Sequence, residues 1–527
     1  MAKHSMEAQK SGYNVRNSII NYYLLLMFTF FPVFLTNQYA HARTDKFVLF
    51  IILSALLIGS VLIISSVYSK EIAQGNMIAN ETVPFTKFSA TDIGMLLFFF
   101  FALISTVFSQ YPLDSLTGNA GRNNGLILIF LYTAVYFILT RFWYYKDYLI
   151  VGYLVFSSFV ALLAVLHFFY IDPFGLLSGY SAEVAKDFGT TIGNKNTTAS
   201  FMCLFLPVAI TVFVLAKKRF MKVLSAISVF CAYTGILAAD SNSGYLGMFA
   251  ILLIMLIVFV GKFEYIKEYM LALFIAFASG KVLRLFSLIM GDNSKSFEQI
   301  AKFLIYDNRS YILVIVPLCI YLLLLLCKNG ISAHYPKKIL RIATIIVALS
   351  IFGYLLYKFI FFSVYDITTD LGWETKLFRF NEKWGTHRGY MWINGMKEFS
   401  NFNFFSKLFG SGPDTFYHVF EPYFEGLLKY GDSSTDCIHS EYLNYLVTQG
   451  ILGLLSYLLI LVSTLVRALK KSKENPLTLV FLFPVLCYAI QSVVNIYQPI
   501  TTPILFIFIA LCENLCRGTY RENVVSL

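Results

Sequence analysis

The sequence predicts an all-α protein, a polytopic transmembrane helical bundle of about fourteen spans. Three observations predict it. The 527 residues are 58% hydrophobic and 13% charged, with a mean hydropathy of +0.68, which excludes an ordinary water-soluble globular protein. Apolar runs of about 20 residues, the length that crosses a bilayer, fill most of the chain. The polar segments with candidate chemistry fall in alternate connections, on one predicted side.

The predicted spans follow the apolar runs one after another. The first is expected to be a retained helix, because its run is longer than that of a signal peptide and no small-residue cleavage site follows it. The ninth is the weakest, since Lys281 and Arg284 interrupt its apolar run. The spans cover residues 19–36, 47–68, 91–108, 126–140, 148–170, 198–215, 223–239, 245–260, 269–290, 311–326, 339–362, 442–466, 477–495 and 501–515.

Lysine and arginine collect in three connections, 216–222, 327–341 and 467–475. With the N-terminus inside, all three fall on the cytoplasmic side, as the positive-inside rule requires. We therefore expect a multi-pass protein of the cell membrane whose domain, 17–516, is flanked by cytoplasmic tails, 1–16 and 517–527. The net charge of +11 is split among short connections beside the membrane, so a nucleic-acid partner is not expected.

The longest connection on the opposite, extracytoplasmic side covers about 363–440, far longer than a helix bundle needs, and is predicted to carry the active site. Its residues 386–399 (THRGYMWINGMKEF) have apolar side chains at helical spacing, which predicts a short amphipathic helix opened by Arg388. The turn at Gly410 and Gly412 is predicted to hold backbone N–H groups free for a ligand. The aromatic residues of 416–424 are interpreted as packing or interfacial anchors rather than sugar platforms.

Smaller polar islands on the same side begin or end helices, where their side chains are predicted to reach a shared cavity. They lie at 118–125, 189–198, 240–244 and 307–310, and their candidate ligand-binding residues are Arg122, Asn194, Lys195, Asn196, Ser243 and Arg309. No CxxC or Cys/His spacing suggests zinc, so neither a metal site nor a cofactor is predicted.

This arrangement resembles the O-antigen ligase and polymerase family of bacterial membrane glycosyltransferases, from about residue 118 onward. Residues 439–444 (HSEYLN) followed by 449–453 (QGILG) are similar to the family's histidine before a helix with a Gly-x-x-Gly pattern. Arg388 with Trp392 ahead of the 410–412 turn is similar to an Arg-and-Trp stretch before a Gly-x-Gly element.

Two weaker landmarks are also similar to the family, Asn194-Lys195-Asn196 before the sixth span and Gly121-Arg122 before the fourth. One position departs from it. Many members have Ser-Arg where this chain has Ser243-Gly244, and the resemblance assigns the donor diphosphate to that arginine. The replacement charge is expected from Arg122, Lys195 or Arg309.

The resemblance implies transfer or polymerisation of a glycan from a polyprenyl (undecaprenyl) diphosphate carrier onto an acceptor hydroxyl outside the cytoplasmic membrane, in surface polysaccharide biosynthesis. The implied partners are this lipid-linked glycan, an acceptor that is a glycan, lipid or protein, and membrane lipids. The long connection has no DxD motif, which favours a metal-independent reaction. A single displacement would invert the anomeric centre. The sequence does not distinguish a ligase from a polymerase.

The catalytic assignments follow from side-chain chemistry. Arginine is a planar, permanently charged, bidentate donor, so Arg388 is assigned to the diphosphate. A histidine whose pKa is near neutrality can take the proton of the acceptor hydroxyl, so His439 is assigned as general base, with a phosphate hydrogen bond as its other role. The structural alternatives are a capping or structural role at a helix start for His439, helix capping by Asn194 and Asn196, and a helix-end or headgroup contact by Arg388. For Arg122 and Arg309 the alternative is a solvated loop charge.

Two other functional classes stay open. A transporter or flippase of a lipid-linked saccharide or polar solute would place ionisable residues and broken helices at mid-membrane, whereas these spans hold few charges. A relative of the cell-shape and division glycan polymerases would carry an acidic residue in an outer connection, a place that Asp432 or Asp436 would fill.

Overall fold

A computed structural model describes residues 2–39, 41–73, 87–118, 122–291, 293–326, 335–365, 369–370 and 372–518. This part of the chain is mostly helical, and long apolar helices form the fold. They are α1 Ala2–Phe28, α3 Ala42–Ala73, α4 Ala90–Val107, α6 Leu126–Phe142, α7 Asp147–Phe168, α9 Lys195–Leu215, α10 Arg219–Ala239, α11 Asn242–Phe259, α12 Phe263–Met290, α14 Ile312–Leu326, α15 Lys337–Ile360, α21 Glu441–Lys471, α22 Thr478–Gln491 and α23 Thr502–Arg517.

Shorter elements lie mainly in the connections. The short α-helices are α2 Phe30–Val33, α5 Pro112–Thr117, α8 Ala182–Ala185, α13 Gln299–Tyr306, α16 Trp373–Phe378, α17 Trp384–Asn401, α18 Phe404–Phe409, α19 Phe416–Phe420 and α20 Phe424–Leu427. Four 3₁₀ turns and one π turn join them, at Asn308–Tyr311, Glu421–Tyr423, Leu428–Tyr430, Ser492–Val494 and Phe361–Tyr365. The strands of the described residues are β1 Phe188–Gly189 and β2 Gly193–Asn194, which pair antiparallel with Phe188 opposite Asn194.

The predicted fold class is confirmed, and the second to fourteenth predicted spans each overlap one long helix. The first, 19–36, is divided, because α1 ends at Phe28 and the short α2 follows it. Ten helices of the described residues are long and apolar enough to cross a membrane, and Leu126–Phe142 and Thr478–Val494 are shorter apolar helices. The weakest predicted span, α12, is one continuous helix of 28 residues and is among the ten. Fourteen crossings stay a prediction.

The bundle has a buried centre and one exposed edge. Of the most apolar stretch of helix α9, 94% is buried, and the helix contacts α10, α11 and α22. At the other extreme, none of the residues of α15 is buried, and its neighbours are α11 and the α16 region. Such an all-round apolar helix is stable only beside lipid or another apolar surface.

Helix directions put the polar connections at opposite ends of the bundle. The basic connections 216–222 and 467–475 and the described part of 327–341, residues 335–341, share one end, which we call the basic end. Residues 327–334 of that prediction lie outside the described residues. The end with Arg388 and His439, where the long connection 363–440 also lies, is called the site end.

Within the long connection, the predicted amphipathic helix is present as α17, and it packs into a second hydrophobic core. Met391 of α17 contributes to that core beside the fully buried Phe416 and Phe420 of α19. These two aromatic residues therefore pack the connection, as the packing interpretation of 416–424 expects. The core holds the connection as a defined layer over the bundle.

Candidate active site

The backbone in front of Arg388 is strained. Gly385, Thr386 and His387 have φ angles of 62°, 60° and 66°, a left-handed turn inside α17. Left-handed geometry is unfavourable for residues with a Cβ, and such strain concentrates at functional sites. The ring of His387 stacks on that of Tyr430, with centroids 4.4 Å apart, which fixes the turn against the layer. This turn therefore fixes the position of Arg388, which begins the regular part of α17.

His439 is also held in a left-handed conformation, with φ of 54°. The carbonyl before it is anchored to α17, because Trp392 Nε1 donates to the Ile438 oxygen at 2.9 Å. Helix α21 is capped by Ser440, whose hydroxyl accepts from the backbone N–H of Leu443. The capping alternative for His439 is therefore wrong, since its neighbour does that work.

The imidazole of His439 is half-buried and faces two guanidinium groups. Burial, followed by the positive charges of Arg388 and Arg122, lowers the pKa of His439 to about 3, against an opposing contribution from Asp436. The pKa of His439 is therefore not near neutrality, contrary to the expectation from the sequence. His439 is consequently neutral at physiological pH, with a ring nitrogen open to a proton.

Arg388 is half-buried and makes no hydrogen bond or ion pair with any described residue. Burial lowers the pKa of its guanidinium, although arginine stays charged at all relevant pH. A partly desolvated cation without a counterion is unfavourable unless an anion binds to it. The chemistry of Arg388 is therefore suited to binding an anion.

Arg122 is buried, and its Nη2 contacts Asp436 Oδ1 at 2.5 Å. Arg43, at the start of α3, reaches the other oxygen of Asp436 at 3.5 Å. Burial would raise the pKa of Asp436, but the charge and hydrogen bond of Arg122 and the charge of Arg43 lower it, so the carboxylate is ionised. The solvated-loop alternative for Arg122 is wrong. Gly121, its partner in the predicted landmark, lies outside the described residues.

Asn194, Asn196 and Ser243 belong to a hydrogen-bonded network around the start of α9. Asn194 caps the helix by accepting from the backbone N–H of Asn196 at 2.8 Å, which confirms its capping alternative. The hydroxyl of Ser241 donates to Asn196 Oδ1 at 2.7 Å. Asn495 Nδ2 donates to the Asn196 oxygen at 3.1 Å and to Ser243 Oγ at 3.2 Å. The network fastens α9, α11 and the segment after α22 together.

Two segments that were not predicted from the sequence lie between this network and the pair of Arg122 and Asp436. The segment 495–501 carries Asn495 at one side and Tyr497 at the other, and the Tyr497 oxygen accepts from Asn124 Nδ2 at 3.2 Å. Asn124 N donates to Asp414 Oδ2 at 3.0 Å, beside Arg122. The second segment is the start of α3, which supplies Arg43. Arg43 and Asn495 had no detectable signal, since a single polar residue at a helix end is common in any membrane protein.

Two of the charges expected to replace the missing family arginine are already paired. Lys195 pairs with Asp187 at 3.0 Å and with Glu298 at 3.8 Å. Arg309 pairs with Asp307 at 2.6 Å, and its side chain is 83% exposed. Position 244 has no room for the family residue, because a Cβ there would lie 2.9 Å from the Cβ of Ala199. Of the three candidates, Arg122 stands beside His439.

The prediction of free N–H groups in the 410–412 turn is wrong. Gly410 N donates to the Ser406 oxygen at 2.7 Å, Ser411 N to Val447 at 3.2 Å and Gly412 N to Thr448 at 2.8 Å. The last two carbonyls belong to a break in α21, where Gly450 has φ of 72°. The N–H groups of the turn therefore satisfy the carbonyls at the break in α21. A glycine is required at position 410, because a Cβ there would lie 2.3 Å from the Thr448 backbone.

Comparison with known proteins bears on this part of the chain. Residues 300–458 match the family model described as O-antigen ligase. The match includes Arg388, the 410–412 turn, Asp436, His439 and the broken part of α21. A search of the curated proteins finds no match.

Proposed function

We propose, from the premise that the chain belongs to the O-antigen ligase family, that it transfers a glycan from a polyprenyl diphosphate-linked donor onto an acceptor hydroxyl. Its family and its apolar helices make it a multi-pass membrane protein with a glycosyltransferase-type activity in surface polysaccharide biosynthesis. The donor, the stereochemistry and the metal independence are inferred from the chemistry of the site.

One observation carries the proposal. Arg388 is half-buried and without a partner among the described residues, and both it and Arg122 lie close enough to His439 for their charges to lower its pKa. A diphosphate supplies the anion that this cation lacks, and a guanidinium binds phosphate oxygens in a bidentate manner. Fixed positive charge placed where the leaving group develops its charge stabilises the transition state without a metal ion.

The proposed reaction is a single displacement. The acceptor oxygen attacks the anomeric carbon, the bond from that carbon to the diphosphate oxygen breaks, and the diphosphate leaves with the bonding electrons towards Arg388 and Arg122. The proton of the acceptor hydroxyl goes to the unprotonated ring nitrogen of His439. Attack opposite the leaving group inverts the anomeric centre.

The lowered pKa of His439 fits this order of events. Burial lowers it first, and the charges of Arg388 and Arg122 add to that effect. A bound diphosphate offsets both guanidinium charges, so the pKa of His439 rises when the donor is present. His439 thereby becomes a stronger base in the donor complex, where it must accept the proton of the acceptor hydroxyl.

The site end is proposed to face the outside of the cell. The basic connections lie at the opposite end of the bundle, and such connections are retained in the cytoplasm. His439 and Arg388 would then meet a donor whose glycan is displayed outside.

The rival class, a transporter, has one supporting feature, the break in α21 at Gly450. In transporters such breaks leave carbonyls free for ions near mid-membrane. Here the Val447 and Thr448 carbonyls accept from Ser411 and Gly412, so protein fills the break. The enzyme is favoured for this reason.

The test is a transfer assay with purified protein, polyprenyl diphosphate-linked oligosaccharide and candidate acceptors, with a chelator present. We expect transfer by the wild type, loss in His439→Ala and Arg388→Ala, and retention in the matched control Arg309→Ala. The anomeric configuration of the product tests inversion, and its length separates a polymerase from a ligase. Full transfer by both site variants, or metal-dependent transfer by the wild type, contradicts the mechanism. Movement of the donor across vesicles without transfer supports a transporter.

A further inference from the structure

A second cationic group lies on the flank of the bundle, apart from the candidate active site. Lys281 and Arg284 are three residues apart on α12 and therefore lie on one face of that helix. Facing them is the 3₁₀ turn Asn308–Tyr311, which joins α13 to α14. Between these elements is a cavity of about 420 Å³ lined by Lys281, Val282, Arg284, Leu285, Leu288, Asn308 and Tyr311.

Lys281 makes structural hydrogen bonds that do not neutralise its positive charge. Its Nζ donates to the carbonyl oxygens of Leu304 at 3.0 Å and Ile305 at 3.1 Å, and also to Ser310 Oγ. These contacts close the C-terminal end of α13, where carbonyls lack helical partners. Carbonyl dipoles hold the ammonium in place but do not neutralise it.

Arg284 makes a weaker interaction. Its Nη1 donates to Asn308 Oδ1 at 3.3 Å, and no carboxylate of the described residues pairs with it. Asp307, which precedes Asn308 in the chain, is occupied by Arg309, whose Nη2 lies 2.6 Å and whose Nε lies 3.1 Å from Asp307 Oδ2. With Lys281, Arg284 and Arg309 against Asp307, the group carries two positive charges in excess.

The depth of the cavity is the decisive feature. Lys281 precedes Met290, the last residue of α12, by nine residues, about 13 Å along the helix. Beyond the two cations the surface stays apolar, since Leu285 is 61%, Leu288 68% and Ile289 79% exposed. In a membrane protein such side chains face lipid, so both cations lie beneath a lipid-facing surface and are stable there only with anions or water drawn to them.

We propose that this cavity binds the phosphate group of an anionic phospholipid. The phosphate contacts Arg284 and the ammonium of Lys281, with Asn308 beside it, and the acyl chains lie along Val282, Leu285 and Leu288. A phospholipid matches both walls, since it supplies an anion and hydrocarbon in one molecule. The site is independent of the transfer reaction.

The test measures bound lipid by native mass spectrometry of protein reconstituted in phosphatidylcholine nanodiscs with a minor fraction of phosphatidylglycerol. We expect the wild type to retain one more phosphatidylglycerol than Arg284→Gln, with at least a tenfold weaker apparent affinity in the variant. The matched control is Arg309→Gln. Arg309 belongs to the facing Asn308–Tyr311 turn, is already paired with Asp307 and does not line the cavity, so we expect this variant to retain lipid as the wild type does. Equal retention by wild type and Arg284→Gln overturns the proposal.

Two further arms identify the source of the phosphate. Displacement of phosphatidylglycerol by polyprenyl phosphate at equal concentration overturns the phospholipid assignment in favour of a carrier lipid, and displacement by millimolar inorganic phosphate shows that the acyl chains are not recognised. If Arg284→Gln fails to fold, Leu288→Trp replaces it, since that change blocks the mouth of the cavity and leaves both cations intact. Loss of the retained phosphatidylglycerol supports the proposal, and its retention overturns it.

Discussion

The two ends of the bundle both hold arginines near carboxylates, but they hold them differently. At the basic end, Asp92 on α4 accepts from Arg141 at 3.1 Å, contacts Arg517 and accepts from Tyr136 at 2.8 Å. Glu513 on α23 is shared by Arg467 and Arg517. At the site end, Arg122 pairs with Asp436 at 2.5 Å, but Arg43 reaches Asp436 only at 3.5 Å and Arg388 has no partner among the described residues.

The backbone differs in the same sense. The basic-end charges stand on regular helices, whereas Arg388 and His439 follow or occupy left-handed backbone. Buried charges that are mutually satisfied hold helices together, and unsatisfied charges on strained connections are kept for a ligand. Substitutions at the two ends should therefore separate stability from activity.

The largest expected effect is on stability, from Asp92→Asn at the basic end. Removing this carboxylate leaves Arg141 and Arg517 buried around a neutral amide, and breaking a buried pair costs about 3–5 kcal/mol. We expect the free energy of unfolding in detergent to fall by about that amount, with transfer activity per folded molecule within about threefold of wild type.

A matched control is available at the same end. Asp147 pairs with Lys218 at 2.8 Å, but both side chains are about half exposed, so Asp147→Asn should cost less than about 1 kcal/mol. Equal destabilisation by both variants would contradict the contrast between buried and exposed pairs.

Arg388 should show the opposite signature. We expect Arg388→Ala to reduce kcat/KM by about 10²–10³-fold, because it removes the charge that we propose stabilises the leaving group. The free energy of unfolding should change by less than about 1 kcal/mol, since no bond to the described residues is lost. Arg388→Lys should restore less than tenfold, because an ammonium cannot bind two phosphate oxygens in the guanidinium geometry. A destabilisation like that of Asp92→Asn would make Arg388 structural.

The break in α21 gives a third, intermediate effect. Gly410→Ala adds a Cβ that meets the Thr448 backbone at 2.3 Å, in a conformation with φ of 77°. We expect a loss of about 2–3 kcal/mol in the free energy of unfolding. Gly431→Ala is the control, because Gly431 has φ of 87° but nothing within 4 Å of its Cβ position. Its cost measures backbone strain alone, and equality of the two would exclude the packing role of the turn.

The apolar pattern of the sequence was enough for the fold class and for the positions of the long helices after α1, since both depend on local hydrophobicity. The first span was placed at 19–36, but α1 ends at Phe28. It also singled out Arg388 and His439, whose residue types suit the chemistry. The pairing of Arg122 with Asp436 and the place of Arg43 depend on contacts between distant segments, and no local pattern encodes them.

The glycine turn shows why such a prediction fails. Gly410 and Gly412 predict backbone that comes close to something, and the sequence left a ligand as the natural partner. In the folded chain that partner is the broken helix, 36 residues further along. Glycine spacing shows that another group must come close to this backbone, but it does not show whether that group is a ligand or another part of the chain.

The pH dependence of stability gives a smaller effect. The folded pKa of His439 is about 3, below its ordinary value of 6.5, because burial and then Arg388 and Arg122 disfavour its charged form. Between these values the unfolded chain binds a proton that the folded chain does not, so stability falls as pH is lowered from about 6.5 towards 3. We expect a contribution below about 1 kcal/mol per pH unit, because His439 is partly exposed and solvent reduces the effect of the charges on it.

His439→Gln should flatten this part of the pH profile of thermal unfolding, and His418→Gln, a substitution elsewhere in the same layer, should leave the contribution of His439 in place. Identical profiles for wild type and His439→Gln would show that the imidazole is solvated and titrates normally. Inorganic pyrophosphate should reduce the difference, because an anion between Arg388 and Arg122 weakens their repulsion of the imidazolium.

The smallest effect is expected from the arginine that the sequence placed in the site and the structure places apart from it. Arg309 is exposed and paired with Asp307, so Arg309→Gln should leave kcat/KM within about threefold of wild type. Arg122→Gln should lower it by at least about tenfold, because it removes charge beside His439 and leaves Asp436 to Arg43 alone. The two substitutions change the same residue type at the same end of the bundle, so their ratio measures proximity to the site rather than net charge. A loss in Arg309→Gln as large as that in Arg122→Gln would mean that charge acts at long range, and raising the ionic strength would then abolish both effects.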